Sequence, residues 1–143
     1  ATGQKVVLLP IGYASGHDDF SYLSRLNVIL PDETVIYERL NLWEIMYVIK
    51  NSKAFFGTSL HGVITAMAFQ KPHFGINKNV IKLDEFLKEW SVEPFNRCIS
   101  SNEMFDALSQ SNEIQIEEMK LKNQIMFEMI KSNNDKIYSL LTE

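Results

Sequence analysis

A chain of 143 residues, of which 45% are hydrophobic and 22% charged, is the size of one ordinary globular domain and can bury a core. Its formal net charge of −4 and the lack of a basic block among aromatic residues argue against nucleic acid as a partner. A single cysteine, Cys98, excludes an internal disulfide and a multi-cysteine zinc site, and no apolar run approaches the roughly 20 residues that span a bilayer. We therefore expect a cytoplasmic protein, either free in solution or peripheral to the membrane.

Strand-like and helix-like segments alternate along the first 77 residues. Short runs rich in β-branched and aromatic residues predict four strands, which begin near Lys5, Glu33, Lys53 and Lys71. The segments "DFSYLSRLNVIL", "NLWEIMYVIKNS" and "SLHGVITAMAFQ" carry apolar residues at helical spacing. This alternation predicts an α/β fold, a Rossmann-like parallel sheet flanked by helices. Placing the first two crossovers on one side of the sheet gives a strand order of about 3-2-1-4, and "EPFNRCIS" leaves room for an extra strand.

The pattern becomes mainly helical after Asn77. Short helices are predicted over residues 82–90 and 103–109, and a long C-terminal helix from about Ile114 to Thr142. One stripe of the long helix is apolar and includes Ile125, Met126, Met129 and Ile130.

These patterns predict two parts of the chain. Residues 1–110 form the Rossmann-like part, and residues 111–143 form the long helix, which packs on that part or on a partner domain. The same helix is a candidate surface for a homo-oligomer, because its stripe is longer than a domain of this size can cover.

Three loops follow the predicted strands at their carboxyl ends, where open α/β sheets bind ligands. They span residues 12–19, 57–61 and 75–78. In the second loop Gly57 permits close backbone approach, while Thr58 and Ser59 offer hydroxyls and a helix cap. The N-terminus of the helix that follows attracts anions. The loop therefore predicts an anion-binding site.

His61 lies in the first turn of that helix and has two interpretations. A histidine there can be a structural residue that hydrogen-bonds a loop carbonyl. Alternatively, it can transfer protons near neutral pH, since the helix dipole disfavours imidazolium and keeps the ring neutral. The Gly-Thr-Ser turn, the strand before it and the apolar helix after it favour the second interpretation.

Other candidates carry simpler alternatives. His17 and Asp18 could contact a donor, or could serve as a loop histidine and a helix cap. Lys78 and Lys82 could reach a phosphate or carboxylate, or be solvated. His73 is interpreted as a packing residue, and Cys98 likewise. The predicted binding set is completed by Gly12, Leu60, Gly62 and Asn77. No metal-ligand cluster, Walker loop or Gly-x-Ser-x-Gly elbow is present, so no metal is implied.

Three segments resemble the C-terminal half of the polysaccharide pyruvyl transferase family: "LLPIGYASGHDD", "LWEIMYVIKNSKAFFGTSLHGVITAMAFQKPHFGIN" and "KLDEFLKEW". The resemblance covers roughly residues 5–90 and is specific around residues 57–72. It implies a GT-B-like enzyme with its active site between two Rossmann-like halves. Such an enzyme moves a ketal-linked pyruvyl group from phosphoenolpyruvate to a hydroxyl pair of a cell-surface or cell-wall glycan, without a cofactor.

The family's Ser-x-Arg-Leu-His-Gly-like motif falls on Thr58 to Gly62, so the resemblance assigns the active-site histidine to His61. Ser59 stands where many members carry arginine, and serine cannot make the bidentate contacts of a guanidinium. A nucleotide-sugar glycosyltransferase donor domain therefore stays open as an alternative, as does a non-catalytic interaction module that docks through the long helix.

The resemblance also implies partners for the chain. We expect an anionic small-molecule donor, a glycan acceptor and an N-terminal domain that completes the enzyme. The chain by itself is then an incomplete, donor-side half that does not catalyse efficiently.

Overall fold

The computed structural model describes residues 5–12 and 19–142. Strands and helices alternate through most of this range, ending in two consecutive helices. In chain order they are β1 (Val6–Leu8), α1 (Asp19–Ile29), β2 (Thr34–Ile36), α2 (Leu42–Asn51), β3 (Phe55–Gly57), α3 (Leu60–Ala68), β4 (His73–Ile76), α4 (Ile81–Trp90), β5 (Cys98–Ile99), a 3-10 turn (Ser101–Glu103), α5 (Met104–Gln110) and α6 (Glu113–Thr142). The chain divides into two compact units, residues 1–48 and 49–143.

The first unit contains β1, α1 and β2. The two strands are parallel, with Val6 opposite Thr34 and Leu8 opposite Ile36. Thr34 is buried, and its hydroxyl donates to the Leu30 carbonyl oxygen at 2.6 Å, which fixes the end of α1 against the start of β2. Leu8 is the buried residue of β1.

The second unit is built on a three-stranded parallel sheet of order β3-β4-β5. The central strand β4 is buried along His73, Phe74 and Gly75. The ring of Phe74 stacks on Phe56 of β3 with centroids 4.8 Å apart and packs against Phe95 at 5.2 Å. These aromatic contacts form the centre of the core, which α5 and α6 complete through Ala107 and Met119.

A glycine is needed at position 75 in β4. A Cβ atom there would lie 2.6 Å from the Cys98 sulfur and 2.8 Å from a methyl group of Leu87. Since real Cβ atoms do not approach this closely, Gly75 lets β4 pack against both β5 and α4.

The predicted fold class is confirmed, and the predicted strand order is wrong. The structure is α/β with parallel sheets, flanking helices and a long C-terminal helix, and the extra strand is β5. The order 3-2-1-4 separates β3 from β4, whereas in the structure they are neighbours, with Phe55 opposite His73. Consecutive parallel strands joined by one short helix usually lie side by side, and this pairing brings Phe56 onto Phe74.

The long helix α6 is buried only in its first half. Met119, Asn123 and Met126 face inward, and the Asn123 side-chain amide donates to the Met67 carbonyl oxygen of α3 at 3.2 Å. Of the predicted stripe, Met126 is buried, while the other three residues are about half exposed.

The predicted boundary between residues 110 and 111 stays a prediction. No helix in the described ranges combines the length and apolarity needed to cross a membrane.

Candidate functional site

The junction between β3 and α3 forms the first side of the candidate site. Ser59 has an extended backbone, and its hydroxyl oxygen accepts a hydrogen bond from the Gly62 amide at 3.2 Å, so it caps the helix as predicted. The next turns bury Val63 and Met67, which anchors α3 in the second unit. The first amides of a helix have no intrahelical acceptor. The Gly62 and Val63 amides are bonded to Ser59, whereas no described residue accepts from the Leu60 and His61 amides, so these two donors are left for a ligand.

His61 is the second residue of α3, and its side chain is exposed. Its carbonyl oxygen accepts from the Thr65 hydroxyl at 2.8 Å, which is a backbone contact within the helix. Among the described residues, none hydrogen-bonds the imidazole ring. The ring is therefore accessible to a ligand that approaches the N-terminus of α3.

The loop between β4 and α4 forms the second side of the site. Asn77 has a positive φ of 77°, its amide donates to the Ile99 carbonyl oxygen at 3.0 Å, and its carbonyl accepts from the Val80 amide at 3.0 Å. Its side-chain oxygen also accepts from the Asn79 amide at 3.0 Å. These bonds form a tight turn that presents Lys78.

The structure adds a third side that the sequence interpretation missed. Glu103, in the 3-10 turn after β5, lies 2.8 Å from the Lys78 ammonium and accepts from the Arg97 guanidinium at 2.9 Å. Its other bonds come from Ser100, which donates to the carboxylate through its amide at 2.8 Å and its hydroxyl at 2.7 Å. The Ser-x-x-Glu spacing of a capping box at residues 100–103 is the sequence signal that could have found it.

The ion pair with Lys78 is the main reason that the pKa of the Glu103 carboxyl lies well below its usual range. Hydrogen bonds from Ser100 and then from Arg97 lower this pKa further. The carboxylate therefore stays ionised near neutral pH and pairs with two cations, Lys78 and Arg97.

Strands β3, β4 and β5 are parallel, so their carboxyl ends lie at one edge. That edge brings together the β3–α3 junction, which contains Thr58, Ser59 and the start of α3 with His61, and the β4–α4 loop, which contains Asn77 and Lys78. Leu60 and Gly62 belong to α3 with His61, and Lys82 is exposed in the first turn of α4.

The remaining predicted positions, Gly12, His17 and Asp18, belong to the first part of the chain. Gly12 is half-buried after β1, in the first unit. His17 and Asp18 lie outside the described residues. In the part of the chain that the structure describes, no three histidine, cysteine or acidic side chains are grouped so that they could hold a metal ion.

His73 is a buried histidine in β4, in agreement with its interpretation as a packing residue. It is 0% exposed, with Nδ1 3.0 Å from the Lys71 carbonyl oxygen and Nε2 2.9 Å from the Ser91 hydroxyl oxygen. Burial lowers its pKa to about 4, and the bond to the Lys71 carbonyl opposes this shift. The ring is therefore neutral near pH 7 and takes no part in the exposed edge.

A family model described as polysaccharide pyruvyl transferase matches residues 1–79, which is more than half of the chain. The chain belongs to the polysaccharide pyruvyl transferase family. The matched segment contains the β3–α3 junction and Lys78, while Arg97, Ser100, Glu103 and α6 lie beyond it. Searches of curated proteins and of solved structures returned no match.

Proposed function

We propose that this chain is the donor-binding part of a pyruvyl transferase that acts in exopolysaccharide or cell-wall glycan synthesis. Its donor is phosphoenolpyruvate, and its acceptor is a pair of sugar hydroxyls. The observation that carries the proposal is the Ser59-capped start of α3, which lies within the family match and combines free helix amides with an exposed His61.

Phosphoenolpyruvate suits this edge because it carries a phosphate and a carboxylate. Backbone amides at a helix N-terminus favour an anionic group by roughly 0.3–1 kcal/mol, or about 2 kcal/mol when the site is partly buried. Thr58 adds an exposed hydroxyl beside these amides, and Lys78 adds an exposed ammonium from the neighbouring loop. Ser59 contributes the helix cap and no guanidinium, so the lysine supplies the positive charge.

The transfer balances without a cofactor. Two sugar hydroxyls form two C–O bonds to C2 of the donor, and the bond between C2 and the phosphate oxygen breaks. One hydroxyl proton converts the methylene of the donor to the methyl group of the ketal, and the other leaves with inorganic phosphate. His61 is the group that we assign to these proton movements, because a neutral imidazole can accept a proton from a hydroxyl and deliver it to the methylene carbon.

Calorimetric titration of the chain with phosphoenolpyruvate tests donor binding, and a nucleotide-sugar serves as the comparison ligand. The intact enzyme that carries this chain should release inorganic phosphate from phosphoenolpyruvate only when a glycan acceptor is present. Mass spectrometry should show the acceptor with one ketal-linked pyruvate. Binding of the nucleotide-sugar in place of phosphoenolpyruvate would instead favour a glycosyltransferase, and binding of neither would favour an interaction module.

A further inference from the structure

One carboxylate at the candidate edge contacts the β4–α4 loop and the residues on both sides of β5. The Oε2 atom of Glu103 lies 2.8 Å from Lys78 Nζ and accepts hydrogen bonds from the amide and the hydroxyl of Ser100. The Oε1 atom accepts a hydrogen bond from Arg97 Nη1 at 2.9 Å. These donors come from the β4–α4 loop, the start of the 3-10 turn and the residue before β5. Glu103 therefore joins the ends of two neighbouring strands.

The Lys78 ammonium keeps donors for another acceptor. A lysine ammonium has three N–H groups, of which one is directed to Glu103, and the side chain is 57% exposed. Lys78 and Arg97 carry two positive charges against the one negative charge of Glu103, and Arg97 also interacts with the Asp84 carboxylate. An anion at this edge would meet a lysine whose position is already fixed, with less conformational freedom to lose on binding.

The backbone beside Lys78 is fixed as well. Asn77 makes the tight turn described above, and its amide is bonded to Ile99 of β5. The turn fixes the backbone of Lys78, and the ion pair with Glu103 holds its ammonium group. A long, flexible side chain is thereby held at both ends.

We propose that Glu103 is a positioning residue that holds Lys78 at the carboxyl edge of the sheet, in place to receive the phosphate or carboxylate of the donor. This inference rests on the proposed function, since it assigns Lys78 to the same anion site as the N-terminus of α3. Glu103 itself does not touch the donor, because its carboxylate oxygens are occupied by internal donors.

The first test measures the loop without any ligand. Hydrogen exchange at the Asn79 and Val80 amides is compared in the wild-type chain, Glu103→Gln and Glu117→Gln. Glu117→Gln is the matched control, because it removes a surface ion pair with Lys120 (2.6 Å) on α6 by the same chemical change. We expect faster exchange at these amides in Glu103→Gln alone. Unchanged exchange in that variant would overturn the positioning role.

The second test is a double-mutant cycle on anion binding, with phosphoenolpyruvate and inorganic phosphate as probes. Glu103→Gln should weaken binding by up to about tenfold, because a lysine that is no longer held must lose its rotamer freedom when the anion binds. In a Lys78→Ala background the same substitution should have almost no further effect, because the lysine it positions is gone. Glu103→Asp, which keeps the charge, should bind more tightly than Glu103→Gln. A purely structural glutamate predicts instead that the two effects add.

The outcomes separate this inference from the proposed function. If the chain binds phosphate but not phosphoenolpyruvate, and the effects of the Glu103 and Lys78 substitutions on phosphate binding are coupled, the positioning role is supported and the proposed donor is contradicted. Additive effects with a chain that binds phosphoenolpyruvate overturn the positioning role alone. A wild-type chain that binds neither anion overturns both.

Discussion

His61 and His73 show how position decides the chemistry of one residue type. His61 is exposed at the start of α3, and no described residue hydrogen-bonds its ring. His73 is fully buried in β4, with both ring nitrogens within hydrogen-bond distance of protein oxygens. An exposed, unpaired ring contributes little to folding, whereas a buried and bonded ring contributes much. The two histidines therefore give opposite predictions.

Replacing His61 by glutamine in the intact enzyme should lower turnover by about 10²- to 10⁴-fold, the usual range for a general acid or base. The free energy of unfolding should change by less than roughly 1.5 kcal/mol, because the lost side chain is exposed. Steady-state kinetics and the urea midpoint of the same variant check both statements. Unchanged turnover with a marked loss of stability would show that His61 is a structural residue.

His73 should make stability depend on pH. Its pKa is about 4 in the folded chain and 6.5 ordinarily, so the unfolded chain binds a proton first as pH falls. The contribution of neutral His73 is complete above pH 6.5 and is lost between pH 6.5 and about 4, amounting to roughly 3 kcal/mol. Below that range there is no further change from this residue.

The measurement compares urea unfolding of the wild-type chain and His73→Gln at several pH values between 7.5 and 4. All other titratable groups are the same in both chains, so their effects cancel in the difference. The variant should be less stable at pH 7.5, and the difference should shrink on acidification. A constant difference across this range would contradict the assignment of the pH dependence to His73.

At the scale of single elements, α3 depends on its cap. Ser59→Ala removes the oxygen that accepts from the Gly62 amide and should cost about 1 kcal/mol of unfolding free energy. Ser59→Asp keeps a capping oxygen and adds a negative charge, so it should retain stability while weakening phosphoenolpyruvate binding by repulsion. Urea unfolding and calorimetric titration of both variants are the measurements. If the aspartate variant binds the donor as well as wild type, the anion does not lie at this helix terminus.

At the scale of the whole molecule, the two halves of α6 have different environments. Met119 and Met126 are buried in the second unit, whereas every residue from Glu128 to Thr142 is exposed. The exposed half carries several large apolar side chains: Met129, Ile130, Ile137, Tyr138, Leu140 and Leu141. The expectation that this half meets a partner domain or a second copy stays a prediction.

Deleting residues 132–142 should therefore change the unfolding free energy of the chain by less than about 1 kcal/mol, since no buried contact is removed. Met119→Ala should cost about 2–5 kcal/mol, because it leaves a cavity in the core. Urea unfolding compares the stability of the shortened chain and of Met119→Ala with that of the wild type, and light scattering measures the mass of each variant in solution. A large loss of stability on deletion, at a concentration where the chain is monomeric, would mean that the exposed half packs on the chain itself.

The amino-acid sequence by itself determined the features that depend on neighbouring residues. Alternating apolar patterns located the four predicted strands and the long helix, and Ser59 marked the start of α3. The resemblance in the first part of the chain identified the family. These signals are local, because a strand, a helix or a cap is set by side chains within a few positions of one another.

The tertiary structure alone decided which distant segments meet. Strand pairing depends on which strands bury their faces together, so the neighbour of β3 could not be read from β3, and the predicted order was wrong. The Lys78–Glu103 pair likewise joins loops that are neighbours only because β4 and β5 pair. Contacts of this kind depend on the competition among all packings of the chain, and no short segment contains that information.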